Sequence, residues 1–196
     1  MFNWLKAPSL SAVSWVLVAM LTVCNVLLAR QNQKFRALVQ EMESEQKIQI
    51  GDALGPLSAS DLSGQPTVVR FDENKLGTVV LFSSTTCPFC KKQNPNWNRL
   101  IRDVDRAKYD VVELFRANET RSQVAGYLRT NGLDNEAAVK VFFVAEDFLK
   151  QKKLNTTPIT LIVGRNGLVE RAWFGLWNPS QLAEVNSSLS LSIQAE

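Results

Sequence analysis

Apolar and polar positions divide the chain into two unlike parts. Residues 7–29 carry no charge. As a helix, at about 1.5 Å of rise per residue, the run from Leu10 to Ala29 would span about 30 Å, the thickness of a hydrocarbon core. Residues 1–30 therefore read as an N-terminal transmembrane anchor, with a cleaved signal peptide or a lipoprotein site at Cys24 as the competing readings. Residues 31–50 are mostly polar, with apolar positions at Phe35, Leu38, Met42 and Ile48, and are expected to form a helical or extended linker. Gly51, Gly55 and Gly64, with Pro56 and Pro66, mark an irregular lead-in to a domain expected over residues 51–196.

Within that domain the apolar segments change period repeatedly. Strands are predicted over 67–71 and 78–83, then a helix over 90–107 carrying Trp97, Leu100, Ile101 and Val104. Pro95 falls inside that helix and should bend it. A strand over 110–115 precedes a helix over 121–130 closed by Asn131-Gly132. A strand over 139–144 and a helix over 146–154 follow, and Thr157-Pro158 introduces a strand over 159–163. Arg165-Asn166-Gly167 is a hairpin signal, answered by a strand over 168–174, and Asn178-Pro179-Ser180 opens a last helix. Strands separated by helices and closed by an antiparallel hairpin imply an α/β fold, a mixed central sheet with helices on both faces.

Composition narrows the chemistry. The chain has 22 Lys+Arg against 19 Asp+Glu, a net charge of +3, and no basic patch that argues for nucleic acid. It has no histidine, which excludes Ser-His-Asp and Cys-His catalysis and histidine-based metal sites. Its 3 cysteines cannot build a disulfide scaffold. Thiol chemistry is what remains. Cys87-Pro88-Phe89-Cys90 follows directly on the apolar run 79–82, which sets Cys87 at the end of a strand and Cys90 in the first turn of the next helix. Thiols so spaced share a face and can close a disulfide, Cys87–Cys90. Unpaired N–H groups at a helix start stabilise a thiolate, so Cys87 is expected to attack and Cys90 to resolve, with Lys91 and Lys92 adding positive potential. A zinc site is the rival functional reading, and it lacks ligands, since Cys24 is remote. No metal or other cofactor is expected.

These residues resemble the thioredoxin fold, and within it the membrane-anchored TlpA/ResA-like thiol-disulfide oxidoreductases. The resemblance rests on Cys87-Pro88-Phe89-Cys90-Lys91-Lys92-Gln93-Asn94-Pro95 after a strand, on Thr157-Pro158 before a strand, and on the closing hairpin and helix. It covers about residues 51–190. The strand and helix of 139–154 look like that family's insertion into the minimal fold, and Cys-Pro-x-Cys-Lys-Lys also resembles the thioredoxin-like accessory protein of methylamine dehydrogenase maturation. The resemblance implies a cis bond before Pro158, facing the cysteines, and a substrate-binding loop of Thr86, Pro88, Phe89, Thr157 and Pro158. The sequence departs from the family in three places. Thr86 stands where the family has tryptophan, Leu81 where thioredoxins bury an acid, and Gln93 where ResA-like proteins have glutamate. Asp72, Glu73 and Glu113 are the acids nearest the core strands, and all three read as surface charges.

The function implied is thiol-disulfide exchange on protein substrates, reducing or maturing exported proteins such as apocytochromes or metalloproteins. A membrane electron donor or a thioredoxin-like reductant would recycle the pair, and the bilayer would be a further partner through residues 10–29. A peroxide reductase, from Ser84-Thr85-Thr86-Cys87, and a Cu(I)-binding assembly factor are the alternatives. Arg30, Lys34 and Arg36 against Lys6 place the domain in the cytoplasm by charge count. A dithiol is most useful where disulfides persist, so the expected location is the periplasmic face of a bacterial inner membrane.

Overall fold

The computed structural model describes residues 10–45, 47–133 and 139–191, in two compact units, residues 1–45 and 46–196. The described residues of the first unit form one helix, α1 (Leu10–Glu45). It runs unbroken through the start of the segment expected as a linker. Among the described residues no helix is long and apolar enough to cross a membrane, so the transmembrane anchor and its lipid contact over 10–29 are not found there. The reason is local. Toward its C-terminal half the apolar run of α1 gives way to Arg30, Lys34 and Arg36. Trp15, Leu21, Leu28 and Phe35 are exposed along α1, and Cys24 is an exposed free thiol. Lys6 and the side chains of Leu38 and Met42 lie outside the described residues.

The second unit is built on a 7-stranded sheet in the order β2-β1-β5-β4-β3-β6-β7. In chain order its strands are β1 (Leu57–Asp61), β2 (Pro66–Val69), β3 (Gly77–Phe82), β4 (Tyr109–Arg116), β5 (Lys140–Val144), β6 (Ile159–Gly164) and β7 (Val169–Phe174). The helices are α2 (Pro88–Asp103), α3 (Arg121–Thr130), α4 (Glu146–Gln151) and α5 (Pro179–Leu189). β3 and β5 run parallel to β4, whereas β6 pairs antiparallel with β3 and with β7. This is the mixed α/β sheet expected. β1 was not, because Leu57-Ser58-Ala59-Ser60-Asp61 reads as turn. Antiparallel pairing with both β2 and β5 makes it a strand.

Alternation along the central strands divides the core. Val79 and Leu81 of β3, with Val111 and Phe115 of β4, face a cluster that contains Cys90 and Trp97 of α2, Tyr127 of α3 and Val185 of α5. Val80, Phe82, Val112 and Leu114 face the opposite cluster, with Leu149 of α4 and with Ile48 and Leu54. Both faces of the sheet are covered by a core cluster, which is why β3 and β6 show no exposed position. Caps set the helix starts. Thr120 opens α3 in a capping box with Gln123, and Asn178 opens α5 in one with Gln181, each satisfying amides that the first turn leaves unpaired. α2 continues through Pro95 to Asp103. At the hairpin, Gly167 takes φ +75, a conformation open to glycine at no steric cost.

Glu113 departs from its expected place. It is fully buried, at 0% exposure, on the same face as Val111 and Phe115. Asp72 is half-buried and Glu73 exposed.

Candidate functional site

The site forms where β3 runs into α2. Ser83 leaves the strand, and the amide of Cys87 donates to the Ser84 carbonyl at 3.2 Å. The Thr85 amide donates to Glu119 Oε2 at 2.8 Å, which ties the loop to the segment after β4. Cys87 is the N-cap of α2, Pro88 stands in the first turn, and the Lys91 amide donates to the Cys87 carbonyl at 3.3 Å. Proline suits that turn, because its missing N–H would have had no partner there.

Burial separates the two sulfurs. Cys87 is half-buried and Cys90 fully buried, and both are free thiols, the reduced form of the expected pair. Burial works against a thiolate at Cys87, but hydrogen bonds from the Thr157 side chain, from Cys90 and from the Phe89 backbone outweigh it and hold the thiol below its ordinary value. The donors include amides left free at the helix start. Lys91 and Lys92 are exposed, and hydrogen bonding does the work expected of them. Cys90 is pushed up to about 12, chiefly by burial and further by its neighbour Cys87. One thiol is thus primed to ionise while the other is held protonated beside it.

Opposite the pair stands the segment before β6. The Thr157–Pro158 bond is cis, and Cys87 Sγ donates to the Thr157 carbonyl at 3.5 Å. Thr157 is half-buried and Pro158 buried, while Thr86, Pro88 and Phe89 are exposed on the loop and first turn. Phe89 shows 53% of its surface. Of the residues singled out in the sequence, the structure joins Cys87, Cys90 and Thr157 directly. Thr86, Pro88 and Phe89 form the exposed rim.

Gln93 lies under the site, fully buried, with its Oε1 accepting from the Trp177 amide at 3.1 Å. Sequence reasoning assigned no place in the site to Ser83 or Asn94 and set Glu113 at the surface. Ser83, Asn94 and Glu113 are buried beside Tyr127. Ser83 and Glu113 gave a signal, a polar residue against or within an apolar run, whereas Asn94 sits among polar neighbours and gave none. Neither alternative chemistry gains a residue. The partners that lower Cys87 are Thr157, Cys90 and Phe89, none of them an arginine to polarise a peroxide. Among the described residues no group of three or more His, Cys, Asp or Glu could hold a metal.

No protein-family model matches the chain, and no curated protein matches it in sequence. Solved structures do match. A putative thiol:disulfide interchange protein DsbE from Chlorobium tepidum is 13% identical, with a TM-score of 0.55 over 74% of this chain and 97% of its own. The thioredoxin domain of a thiol-disulfide oxidoreductase from Bacteroides vulgatus is 12% identical, with a TM-score of 0.54 over 73% of this chain and 99% of its own. A thiol-disulfide isomerase from Corynebacterium glutamicum is 17% identical, with a TM-score of 0.54 over 74% of this chain and 98% of its own. At such identities the likeness establishes the architecture, a thioredoxin-like α/β fold.

Proposed function

We propose that the protein is a thiol-disulfide oxidoreductase acting on protein substrates through Cys87 and Cys90. The observation that carries this reading is the asymmetry of the pair, with Cys87 half-buried and held below the ordinary thiol range while Cys90 is buried and held above it. Exchange needs that difference, because the thiolate is the nucleophile and the second thiol must wait until a mixed disulfide has formed. The solved proteins of similar fold described as thiol-disulfide oxidoreductases and isomerases support it.

In the proposed reaction Cys87 thiolate attacks one sulfur of a substrate disulfide. A Cys87–substrate bond forms, and the other substrate sulfur leaves as a thiolate that takes a proton from water. Cys90 then loses its proton and attacks Cys87 Sγ. The Cys87–Cys90 disulfide forms, the mixed disulfide breaks, and the second substrate sulfur leaves. The pair gives up two electrons and the substrate disulfide takes them. The Thr157 carbonyl, which accepts from the Cys87 thiol, can accept from an extended substrate backbone once that thiol has ionised, and Thr86, Pro88 and Phe89 offer the surface around it.

Cys90→Ser is the test. With the resolving sulfur gone, the chain should accumulate a covalent adduct with its protein substrate on a non-reducing gel, and a folded Cys90→Ser variant that forms none would overturn the reading.

The substrates proposed are exported proteins, apocytochromes or other metalloproteins whose thiols must be reduced before maturation. A membrane dithiol donor or a thioredoxin-like reductant recycles the pair. The proposed place is the periplasmic side of a bacterial inner membrane, since disulfides persist there. A membrane-impermeant maleimide should then label Cys87 in intact cells, in a Cys24→Ser background, and labelling only after lysis would place the domain inside.

A further inference from the structure

A buried chain of hydroxyls and an amide below the dithiol takes no part in the exchange reaction above. Its members are Ser83 at 0% exposure, Asn94 at 2% and Tyr127 at 6%. Tyr127 Oη donates to Asn94 Oδ1 at 3.0 Å and lies 3.2 Å from Ser83 Oγ. A phenol has one proton to give. Asn94 takes it, so Ser83 is the donor in the second bond. The tyrosine thus accepts from the one and donates to the other. Its ring is held edge-on against Phe115, with centroids 5.9 Å apart, which fixes where the hydroxyl reaches. Among the described residues Tyr127 is the hydrogen-bond partner of the Asn94 side chain, whose Nδ2 has none.

The three residues come from three places, and two of these lead to the cysteines. Ser83 directly follows β3, and its amide donates to the Leu114 carbonyl at 3.0 Å, which fastens it to the sheet. Ser84 comes next, and its carbonyl accepts from the Cys87 amide at 3.2 Å. Asn94 lies on the buried side of α2 with Cys90, one helical turn further along. Tyr127, from α3, therefore links the strand end that leads to Cys87 with the helix turn that carries Cys90. α2 needs such a link because of Pro95. Proline has no N–H, so the Lys91 carbonyl receives nothing from residue 95, and the turn holding Cys90 is joined to the rest of the helix by one hydrogen bond fewer. Beyond the proline α2 has anchors of its own. Trp97 Nε1 donates to Thr160 Oγ1 at 2.9 Å, and Asn98 Nδ2 donates to the Asn131 carbonyl at 2.7 Å. Before it, Gln93 is held by the Trp177 amide and Asn94 by Tyr127.

We propose that Tyr127 is a positioning residue for the resolving step, its hydroxyl clamping the first turn of α2 to the end of β3 so that the Cys90 sulfur is held within reach of Cys87. The proposal rests on the exchange reaction above and deepens it. When Cys90, its proton lost to water, attacks the mixed disulfide, the Cys87–Cys90 bond forms, the Cys87–substrate bond breaks, and the substrate sulfur leaves with the electron pair. The rate of that step and the stability of the closed disulfide both depend on how closely the protein confines the two sulfurs. Attack by Cys87 on the substrate comes before the two meet and does not need it. The clamp therefore acts on the second step and on the closed disulfide, and leaves the first step alone.

The test uses the full chain in a Cys24→Ser background. Equilibration with mixtures of reduced and oxidised glutathione reads the fraction of Cys87–Cys90 disulfide, and rapid mixing with glutathione disulfide follows attack and resolution separately. Tyr127→Phe keeps the ring on Phe115 and removes the hydroxyl alone. It should lower the equilibrium constant for closing the disulfide about tenfold, which raises the reduction potential by about 30 mV for this two-electron couple, and slow resolution by a similar factor. Attack by Cys87, measured with Cys90→Ser in the presence and absence of Tyr127→Phe, should stay unchanged. Asn94→Leu breaks the same link from the α2 side. It should give the same shift, add nothing when combined with Tyr127→Phe, and serve in its place if Tyr127→Phe does not fold. A variant that unfolds at lower urea yet keeps the wild-type potential and resolution rate would show the hydroxyl to be structural and overturn the proposal, as would attack slowed in step with resolution. Absence of attack in the wild type would strike the exchange reaction itself, an outcome distinct from normal attack with an unaltered potential.

Discussion

Replacing Cys87 by serine is expected to remove disulfide exchange, lowering the rate by on the order of 10³-fold or more, as the loss of a covalent nucleophile does elsewhere. Serine keeps the shape of the site and the contact with Thr157, but its hydroxyl does not ionise near neutral pH. Graded alkylation of the wild type supplies the matching readout. Cys87 should react with a midpoint below 9.0, its ordinary value, because its hydrogen bonds outweigh the effect of burial. Cys90 should stay unmodified until near pH 12, since burial holds its proton. Mass spectrometry of the alkylated peptide distinguishes the sulfurs. Equal reactivity of the two, or exchange surviving in Cys87→Ser, would contradict the roles assigned to them.

Stability should fall as the pH rises from about 4.5 to about 8, opposite to the usual behaviour of a protein carboxylate. The cause is Glu113. In the unfolded chain it ionises near 4.5, whereas burial delays ionisation in the folded chain to about 8. Between those values the folded state holds the extra proton, so unfolding free energy declines with pH. The favourable contribution is whole below the unfolded value and gone above the folded one. At about 1.4 kcal/mol per pH unit the loss amounts to a few kcal/mol, large against the 5–15 kcal/mol typical of a domain. Urea midpoints across this range should therefore drop in a Cys87→Ser background, which removes the opposing contribution of a thiol held low. Asp61 and Asp105, held low mainly by Ser63 and by Lys108, act only at more acid pH. Glu113→Gln should flatten the profile, and a wild-type midpoint that rises through the window would show that the carboxyl is ionised in the fold.

Local signals made much of the architecture legible beforehand. The Cys87-Pro88-Phe89-Cys90 run, the Asn166-Gly167 turn and the Asn178-Pro179 start each specify a conformation through a few adjacent residues, and the structure has the helix start, the hairpin and the capped helix there. β1 escaped notice because nothing in Ser58-Ala59-Ser60 prefers a strand by itself, and its partners are remote in sequence. Glu113 was misjudged for a related reason. A charge in a strand reads as solvent-facing because an ionised carboxylate is rarely buried without a partner. β4, with parallel neighbours on both sides, has no wet side over Val111–Phe115. The uninterrupted apolar run around it was the available clue.

The pairing of Leu81 with Glu113 bears on how chains of this kind are compared. An alignment proceeds column by column, and in the column of Leu81 this chain has no acid. The fold instead presents lateral neighbours, and a carboxyl supplied from the adjacent strand enters the same interior volume from one step sideways. Inventories that tick off a single column would miss that carboxyl, whereas a census of the three-dimensional neighbourhood finds it.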